Sequence, residues 1–395
     1  MQKKLAIITS HPIQYNAPLF KEIAQRNNIL VKVFYTWGQS KEKIFDPGFG
    51  KEREWDLPLL EGYDFEFVNN ISKSPGSHYF KGIDNPELIR MIVEYDPKAI
   101  LVFGWSFKSH LKVIKHFKGK VKLLFRGDSN LLDERKGLSI RKVIRKILLK
   151  WVYSLVDTAL YVGSANRNYY LKYGLKNEQL IYAPHAIDNC RFANASQNTI
   201  RQQFGIPDDD IVFLFAGKFE KKKNPILLLE AFIRANINNA HLLLVGNGEL
   251  EKLLKSRVQS LDSEIIRHIH FMDFQNQSKM PEIYNACDVF VLPSQGPGET
   301  WGLSVNEAMA CSRAVLVSDK CGCYLDLVQD GVNGFVFNSN DIKGLVEKMK
   351  GIILKNLEEM GMASQQIIQS WSYTNVCLAI EKECNNVYLN FGTAS

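Results

Sequence analysis

The sequence has no apolar run of about 18 or more residues, so no segment reads as a membrane-spanning helix. Nor does it open on a charged-then-apolar stretch ending in a small-residue cleavage site, and the chain is expected to stay in the cytoplasm. Its seven cysteines (Cys190, Cys287, Cys311, Cys321, Cys323, Cys377, Cys384) are odd in number and scattered, with no paired CxxC clusters of the kind that hold zinc. Reduced, buried thiols are the expectation, and no metal is implied. Cys321-Gly322-Cys323 reads as a turn between a strand and a helix rather than as a redox pair. The net charge is +7, but no aromatic platform or recognition motif accompanies it, which argues against nucleic acid. Hydrophobic residues at 46% and charged residues at 23% leave no room for extensive disorder.

What is present is length and alternation. At 395 residues the chain exceeds one ordinary core, and two domains of roughly 150 to 200 residues are expected. Lys4 to Thr9, Leu30 to Tyr35, Ala99 to Phe103, Val121 to Phe125 and Thr158 to Val162 read as buried strands with helices between them. A second series comes at Ile211 to Phe215, His241 to Val245, Ile269 to Phe271, Val289 to Leu292, Ala314 to Val317 and Phe335 to Phe337. Such alternation predicts an α/β chain of two Rossmann-like, doubly wound parallel sheets. Tyr182 to Ser196 is the expected linker, and Trp37 to Lys81 an irregular insertion in the first domain. Ligands of such sheets bind at the C-terminal ends of the strands, so the cleft between two of them is the default active site.

The loops after strands therefore matter most. In "GETWGLSVNEAMA", Glu299 and Glu307 stand eight positions apart around the start of a helix. Ser304 to Glu307 fits a capping box, which alone would explain Glu307. Glu299 lies in a glycine-rich loop between strand and helix, an arrangement that points free N–H groups at an anion. "AGKFEKKKNP" comes after the strand Ile211 to Phe215. Lys221 and Lys222 read as solvated charges, whereas Lys218 and Lys223 flank the loop where an ammonium can neutralise a diphosphate. "VGNGEL" has half of a dinucleotide fingerprint but lacks its final glycine, so Gly246 and Gly248 are read as a tight turn. In the first half, "RGDSN" should aim Arg126 and Asp128 at the cleft, with a helix cap as the plainer role for Asp128. "SHPIQYNAP" offers His11, Gln14 and Asn16 to a hydroxyl-rich molecule.

Between Lys108 and Lys150 there are fourteen Lys or Arg against three acids. From Leu138 to Leu155, Ile140, Ile144, Ile147, Leu148, Trp151 and Leu155 recur at helical spacing beside Arg141, Lys142, Arg145, Lys146 and Lys150. Two readings stand: the apolar stripe packs on the sheet and the charges are solvated, or the basic face lies on anionic lipid, each charge contributing about 1 kcal/mol.

These residues resemble the retaining glycosyltransferases of family four, glycosyl transferases group 1, with the GT-B architecture. The resemblance is carried by Glu299 to Glu307, which looks like the family's Glu-x7-Glu motif, and by "GKFEKKKNP", "LLLVGNGEL", "YNACDVFVLPS" and "DLVQDGVNGFVF", in the family's order. It implies an acceptor-binding domain over residues 1–185, with 371–395 packing back on it through a C-terminal helix, and a nucleotide-sugar-binding domain over 186–370.

As the resemblance has it, Glu307 holds the ribose hydroxyls and Glu299 the donor-sugar hydroxyls. Gly217, Thr300, Trp301, Gly302 and Leu303 line the donor, and Lys218 and Lys223 stabilise the departing diphosphate. Catalytic candidates are thus Glu299, Lys218, Lys223 and Asp128; acceptor-binding candidates are His11, Asn16, Arg126 and Asp128. No metal or cofactor is needed beyond the nucleotide diphosphate-sugar donor. Lys218 departs from a frequent arginine, which replaces a bidentate grip by a point charge. "SHPIQYNAP" replaces a glycine-rich turn, and "RGDSN" a histidine-containing loop.

The expected protein is a metal-independent hexosyl- or N-acetylhexosaminyl-transferase of surface polysaccharide assembly, lipopolysaccharide or capsule. It would act on a glycan or lipid-linked glycan from the inner face of the cytoplasmic membrane. Rivals on the same fold are a sugar-nucleotide epimerase, a phosphorylase and a non-catalytic glycan-binding protein.

Overall fold

The computed structural model describes residues 2–38, 44–46, 51–53, 56–134, 137, 139–194 and 199–386. The expected insertion, the end of the expected linker and the last residues of the chain fall partly outside these. Two compact units form: one of Met1–Ile44, Pro58–Pro184 and Tyr373–Ser395, the other of Phe45–Leu57 and His185–Ser372.

In chain order the strands are β1 (Lys4–Thr9), β2 (Leu30–Tyr35), β3 (Ile44–Asp46), β4 (Lys51–Arg53), β5 (Asp64–Phe67), β6 (Ala99–Phe103), β7 (Lys122–Arg126) and β8 (Thr158–Tyr161). They continue as β9 (Leu180–Tyr182), β10 (Ile211–Ala216), β11 (Ala240–Val245), β12 (Ile269–Met272), β13 (Val289–Leu292), β14 (Ala314–Ser318) and β15 (Gly334–Phe337). The first unit's sheet runs β5-β2-β1-β6-β7-β8-β9 and the second's β12-β11-β10-β13-β14-β15, while β3 and β4 pair separately. Neighbours in both large sheets are parallel. Such strands are covered on both faces, which is why they read as continuous apolar runs. In the second unit Phe213 and Phe215 of β10 and Leu242 and Leu244 of β11 share a core with Leu228, Leu229 and Phe232 of the helix Pro225–Ala235.

Besides the separate pair β3 and β4, two strands of the large sheets lie outside the expected set. Asp64–Phe67, inside the stretch read as irregular, adds to β2 as an edge strand, with Lys32 Nζ 2.9 Å from Glu66 across the pair. Leu180–Tyr182 closes the other edge, so the expected linker begins as strand and also holds the short helix Asn189–Ala193. The helix Tyr373–Asn385 belongs to the first unit, where Arg26 makes a two-pronged contact with Glu381 (2.7 and 3.0 Å) and Lys122 reaches Glu383 at 2.8 Å. Among the described residues no helix is long and apolar enough to cross a membrane.

His110, fully buried, gives the first unit a sensitivity to acid. Its Nδ1 lies 3.0 to 3.1 Å from the carbonyls of Gly104 and Phe103 and so carries the proton, while Nε2 lies 3.0 Å from the Thr36 hydroxyl, which also reaches Thr9 O at 3.1 Å. Burial lowers its pKa from 6.5 to about 4, against the smaller upward pull of the two carbonyls. The unfolded chain therefore binds the extra proton first, and stability falls as pH drops from 6.5 toward 4. Between pH 7 and 5 this one group should remove about 2 kcal/mol. Urea denaturation at both pH values, for wild type and His110→Gln, isolates the effect; an identical acid slope in the variant would refute it.

Candidate active site

The second sheet runs in the order third, second, first, fourth, fifth, sixth, so its topological switch point lies between β10 and β13. The loops that leave these two strands carry the lysines and Glu299. Lys223 Nζ sits 2.7 Å from Glu299 Oε2, and the Ser294 hydroxyl donates to the same oxygen at 3.0 Å. Glu299 is 7% exposed, and among the described residues both of its side-chain bonds fall on Oε2, which leaves Oε1 open as an acceptor there. Burial alone would push the Glu299 carboxyl up and the Lys223 ammonium down. Their mutual attraction and hydrogen bond more than offset this, so Glu299 is held below the usual carboxylate range and Lys223 above the usual ammonium range.

Backbone contacts fix the pair. Gln295 N donates to Lys222 O at 2.8 Å, and Gly322 N donates to Glu299 O at 3.2 Å. Gly217 N and Phe219 N donate to Val245 O and Asn247 O, which locks the lysine loop, Lys218 included, against the loop after β11. Gly246 and Gly248 are there for this approach: a Cβ on Gly246 would stand 2.0 Å from Gly217 O, and one on Gly248 2.7 Å from Phe219 O. Lys221 is exposed and Lys222 pairs with Glu220 at 3.5 Å.

The helix Leu303–Ala310 starts from Gly302, at φ 100°. A side chain there would also press on Leu292, with Cβ 2.8 Å from Cδ2. The expected capping box is not formed. The Ser304 hydroxyl is buried without a hydrogen-bond partner, and Glu307 instead accepts from the Tyr284 hydroxyl at 2.7 Å. Capping fails because the helix begins one residue before Ser304, which places Ser304 inside the first turn. Trp301 is pinned by its indole N–H to Asn306 Oδ1 (2.8 Å), and Asn306 donates to His185 O (2.9 Å). Thr300 is half-buried beside it. Ser294, Tyr284 and Asn306 carry no role in the sequence reading, although Tyr284 and Ser294 bound the motif "YNACDVFVLPS". Cys321 and Cys323 are buried, burial pushing Cys321 up to about 12 and Cys323 well above its ordinary value, so both are inert thiols in a turn. Cys190 is exposed, against the expectation of buried thiols throughout.

In the first unit the switch point lies between β1 and β6. His11 comes just after β1, with Nδ1 3.0 Å from the Ser10 hydroxyl and its ring edge-on to Trp37. Asn16 stands at the start of the helix Ala17–Gln25, its side chain making no cap. Arg126 turns its guanidinium inward. It is 6% exposed and donates to Ala183 O and Pro184 O at 2.8 Å each, so it braces the chain leaving β9. Asp128 caps no helix, since irregular chain comes after it. With Gly104, Trp105, Ser129 and Arg145 it lines a cavity of about 310 Å³. Its loop is held by Tyr170, whose hydroxyl donates to Gly127 O, and by Asn166, which donates to Ser129 O.

The basic segment divides. Lys108 and Lys112 pair with Asp84, Lys118 with Asp157 and Lys122 with Glu383. The helix Ile140–Ser154 packs through Leu149, Val152 and Tyr153. The apolar stripe read as possible core faces out except at Leu155, which packs on the core: Ile140 is 79% exposed, Ile144 62% and Ile147 65%, with Leu148 and Trp151 also exposed. Arg141, Lys146 and Lys150 are exposed on the same helix. Among the described residues no group of three or more His, Cys, Asp or Glu is placed to hold a metal ion.

The family described as glycosyl transferases group 1 matches residues 196–368. A lipopolysaccharide 1,2-N-acetylglucosaminetransferase of Salmonella typhimurium is 29% identical over 207 residues, 48% of this chain and 52% of the relative. A UDP-Gal:alpha-D-GlcNAc-diphosphoundecaprenol alpha-1,3-galactosyltransferase of Escherichia coli is 30% identical over 172 residues, 42% of this chain and 43% of the relative. The chain thus spans about half the length of these curated relatives. The crystal structure of Anabaena HepE in complex with UDP is similar over 97% of this chain and 100% of that one, with a TM-score of 0.72 and 18% identity, which shows the GT-B fold.

Proposed function

Because this chain belongs to the glycosyl transferases group 1 through the part that carries Lys223 and Glu299, we propose that it moves a sugar from a nucleotide diphosphate-sugar to a glycan acceptor with retention at the anomeric carbon. The observation that carries the reading is the buried Lys223–Glu299 pair at the second switch point. It puts a cation for a diphosphate next to a carboxylate whose free oxygen accepts from sugar hydroxyls. Glu307 takes the ribose hydroxyls, and the amides of Trp301 to Leu303, with Gly217 and Thr300 beside them, meet the phosphates. Lys218 and Lys223 neutralise the charge that develops as the diphosphate leaves, the electrostatic role that usually contributes most to such catalysis. Two ammonium groups at the leaving group make a metal unnecessary. The bond from the anomeric carbon to the phosphate oxygen breaks while the acceptor oxygen bonds on the same face, and the acceptor proton passes to the departing phosphate. Asp128, His11 and Asn16 hold the acceptor.

The acceptor is a lipid-linked glycan of lipopolysaccharide or capsule assembly, met by a cytoplasmic enzyme lying on the inner membrane face through the exposed basic helix. The Salmonella and Escherichia coli relatives, named for a lipopolysaccharide and a diphospholipid acceptor, support this reading, and the UDP bound to HepE supports a nucleotide donor. The purified protein should release nucleotide diphosphate from one member of a panel of UDP-, GDP- and ADP-sugars. Release should rise when membrane lipid extract is added, persist in EDTA and vanish in Glu299→Ala. Release that is equal in the variant, or absent from every donor, would overturn the assignment.

A further inference from the structure

Beside the Asp128 cavity lies a second one, of about 510 Å³, within the size range of ligand pockets. Tyr79, Phe80, Trp105, Phe107, Leu111 and Leu148 make its wall mostly apolar, with Ser77, His78 and Ser106 as its polar members. The two cavities share Trp105, Ser106 and Leu148. Leu148 also belongs to the exposed stripe of the helix Ile140–Ser154, so the apolar cavity adjoins that stripe and shares a wall with the Asp128 cavity. Arg145, three residues before Leu148 and on the same helix face, lines the polar cavity together with Tyr169. The succession is therefore apolar slot, cation, carboxylate.

We propose that the apolar cavity binds the hydrocarbon chain of an anionic, lipid-linked acceptor, with its phosphoryl group at Arg145 and its sugar end at Asp128. This assignment rests on the glycosyl-transfer reading and adds the subsite that recognises the lipid. A docked protein would need the exposed stripe alone. It would account for neither the cavity that Leu148 lines with Trp105 and Phe107 nor the arginine that lines the adjoining one. The basic residues Arg141, Lys146 and Lys150 along the same helix match an acidic amphiphile in charge. A free phosphate, in turn, would leave the aromatic walls without a role.

Dodecyl phosphate below its micelle concentration is the probe, titrated calorimetrically into the full chain beside ethyl phosphate and, in separate runs, UDP. Dodecyl phosphate should bind one to one and ethyl phosphate far more weakly. Leu148→Asp should weaken dodecyl phosphate about tenfold or more by removing apolar contact and setting a like charge near the phosphate. Arg145→Ala should weaken it several-fold. Ile140→Asp, on the stripe but outside both cavities and more than a turn from Arg145, should leave the affinity unchanged. Equal losses in Leu148→Asp and Ile140→Asp, equal binding of ethyl and dodecyl phosphate, or a wild-type dimer that Ile140→Asp dissociates without altering a non-stoichiometric uptake would each overturn the proposal. UDP bound without dodecyl phosphate would remove the lipid subsite and leave the transfer reading standing. Dodecyl phosphate bound with no nucleotide diphosphate would do the reverse.

Discussion

Lys223→Ala is expected to destabilise the second unit by about 3–5 kcal/mol and to remove nearly all nucleotide diphosphate release, because it strands a buried carboxylate. Glu299 is 7% exposed and has no other cation within 4.0 Å among the described residues. The double variant Lys223→Met/Glu299→Gln separates the two consequences. It replaces the pair by neutral groups of similar volume and should recover most of the stability, as buried pairs exchanged for neutral groups often do, while staying inactive. The same contact sets the pH window. The depressed Glu299 contributes stability above its ordinary 4.5 that is lost as pH falls through its lower folded value, and the raised Lys223 contributes stability below 10.5 that is lost as pH rises through its higher one. Urea denaturation and turnover of the three proteins decide the matter. A Lys223→Ala protein as stable as wild type would mean that water screens the pair, and an active one would place the phosphate charge elsewhere.

Much of this site is legible in the chain because burial on both faces writes parallel strands as unbroken apolar runs, and β10, β11, β13 and β14 match such runs to within a residue. The segment after each run is then a loop at the ligand end of a sheet, which singles out Lys223 and Glu299 without any knowledge of their contact. The contact itself is not readable. It arises because β10 and β13 are neighbours in the sheet while β11 and β12 lie on the far side of β10, a crossover that no local signal records. Edge strands are harder for the opposite reason: β5 has four half-exposed or exposed residues, so it lacks the run that marks its buried partners. Arg126 and the basic helix escape a local reading through the same gap. Position after a strand says where a side chain starts, and only the packing of Ala183 and Pro184 shows that the Arg126 guanidinium turns inward. Helical periodicity likewise finds the stripe from Ile140 to Trp151 but cannot say that Leu149, Val152 and Tyr153, on another face, make the contact with the sheet. The capping-box pattern at Ser304 fails on a shift of one residue in the helix start, set by Gly302 in the left-handed region.

Gly246→Ala should be strongly damaging although Gly246 is assigned no substrate contact. At φ 143° an L side chain is strained, and the new Cβ would stand 2.0 Å from Gly217 O, a backbone atom that cannot swing aside. Strain and overpacking each cost about 1–3 kcal/mol at such a site. Relief comes only if the loop from Gly217 to Asn224 moves away from the loop after β11, which breaks the bonds from Gly217 N to Val245 O and from Phe219 N to Asn247 O. Lys218 and Lys223 ride on that loop, so a displacement of about 1 Å would lower turnover roughly 100-fold. The expected variant is therefore both less stable and less active, and the loss of activity should persist under conditions where all of it is folded. Gly351→Ala supplies the contrast. It lies in the helix Ile342–Ile352 with no neighbouring atom within 4 Å of its would-be Cβ, so the same methyl should stabilise by about 0.5–1 kcal/mol and leave turnover alone. Thermal melts of both variants, with nucleotide diphosphate release measured well below their transitions, make the comparison. Wild-type turnover in Gly246→Ala would show that the two loops can part without moving the lysines, and the phosphate-binding role of Lys218 and Lys223 would then have to be independent of the loop that carries them.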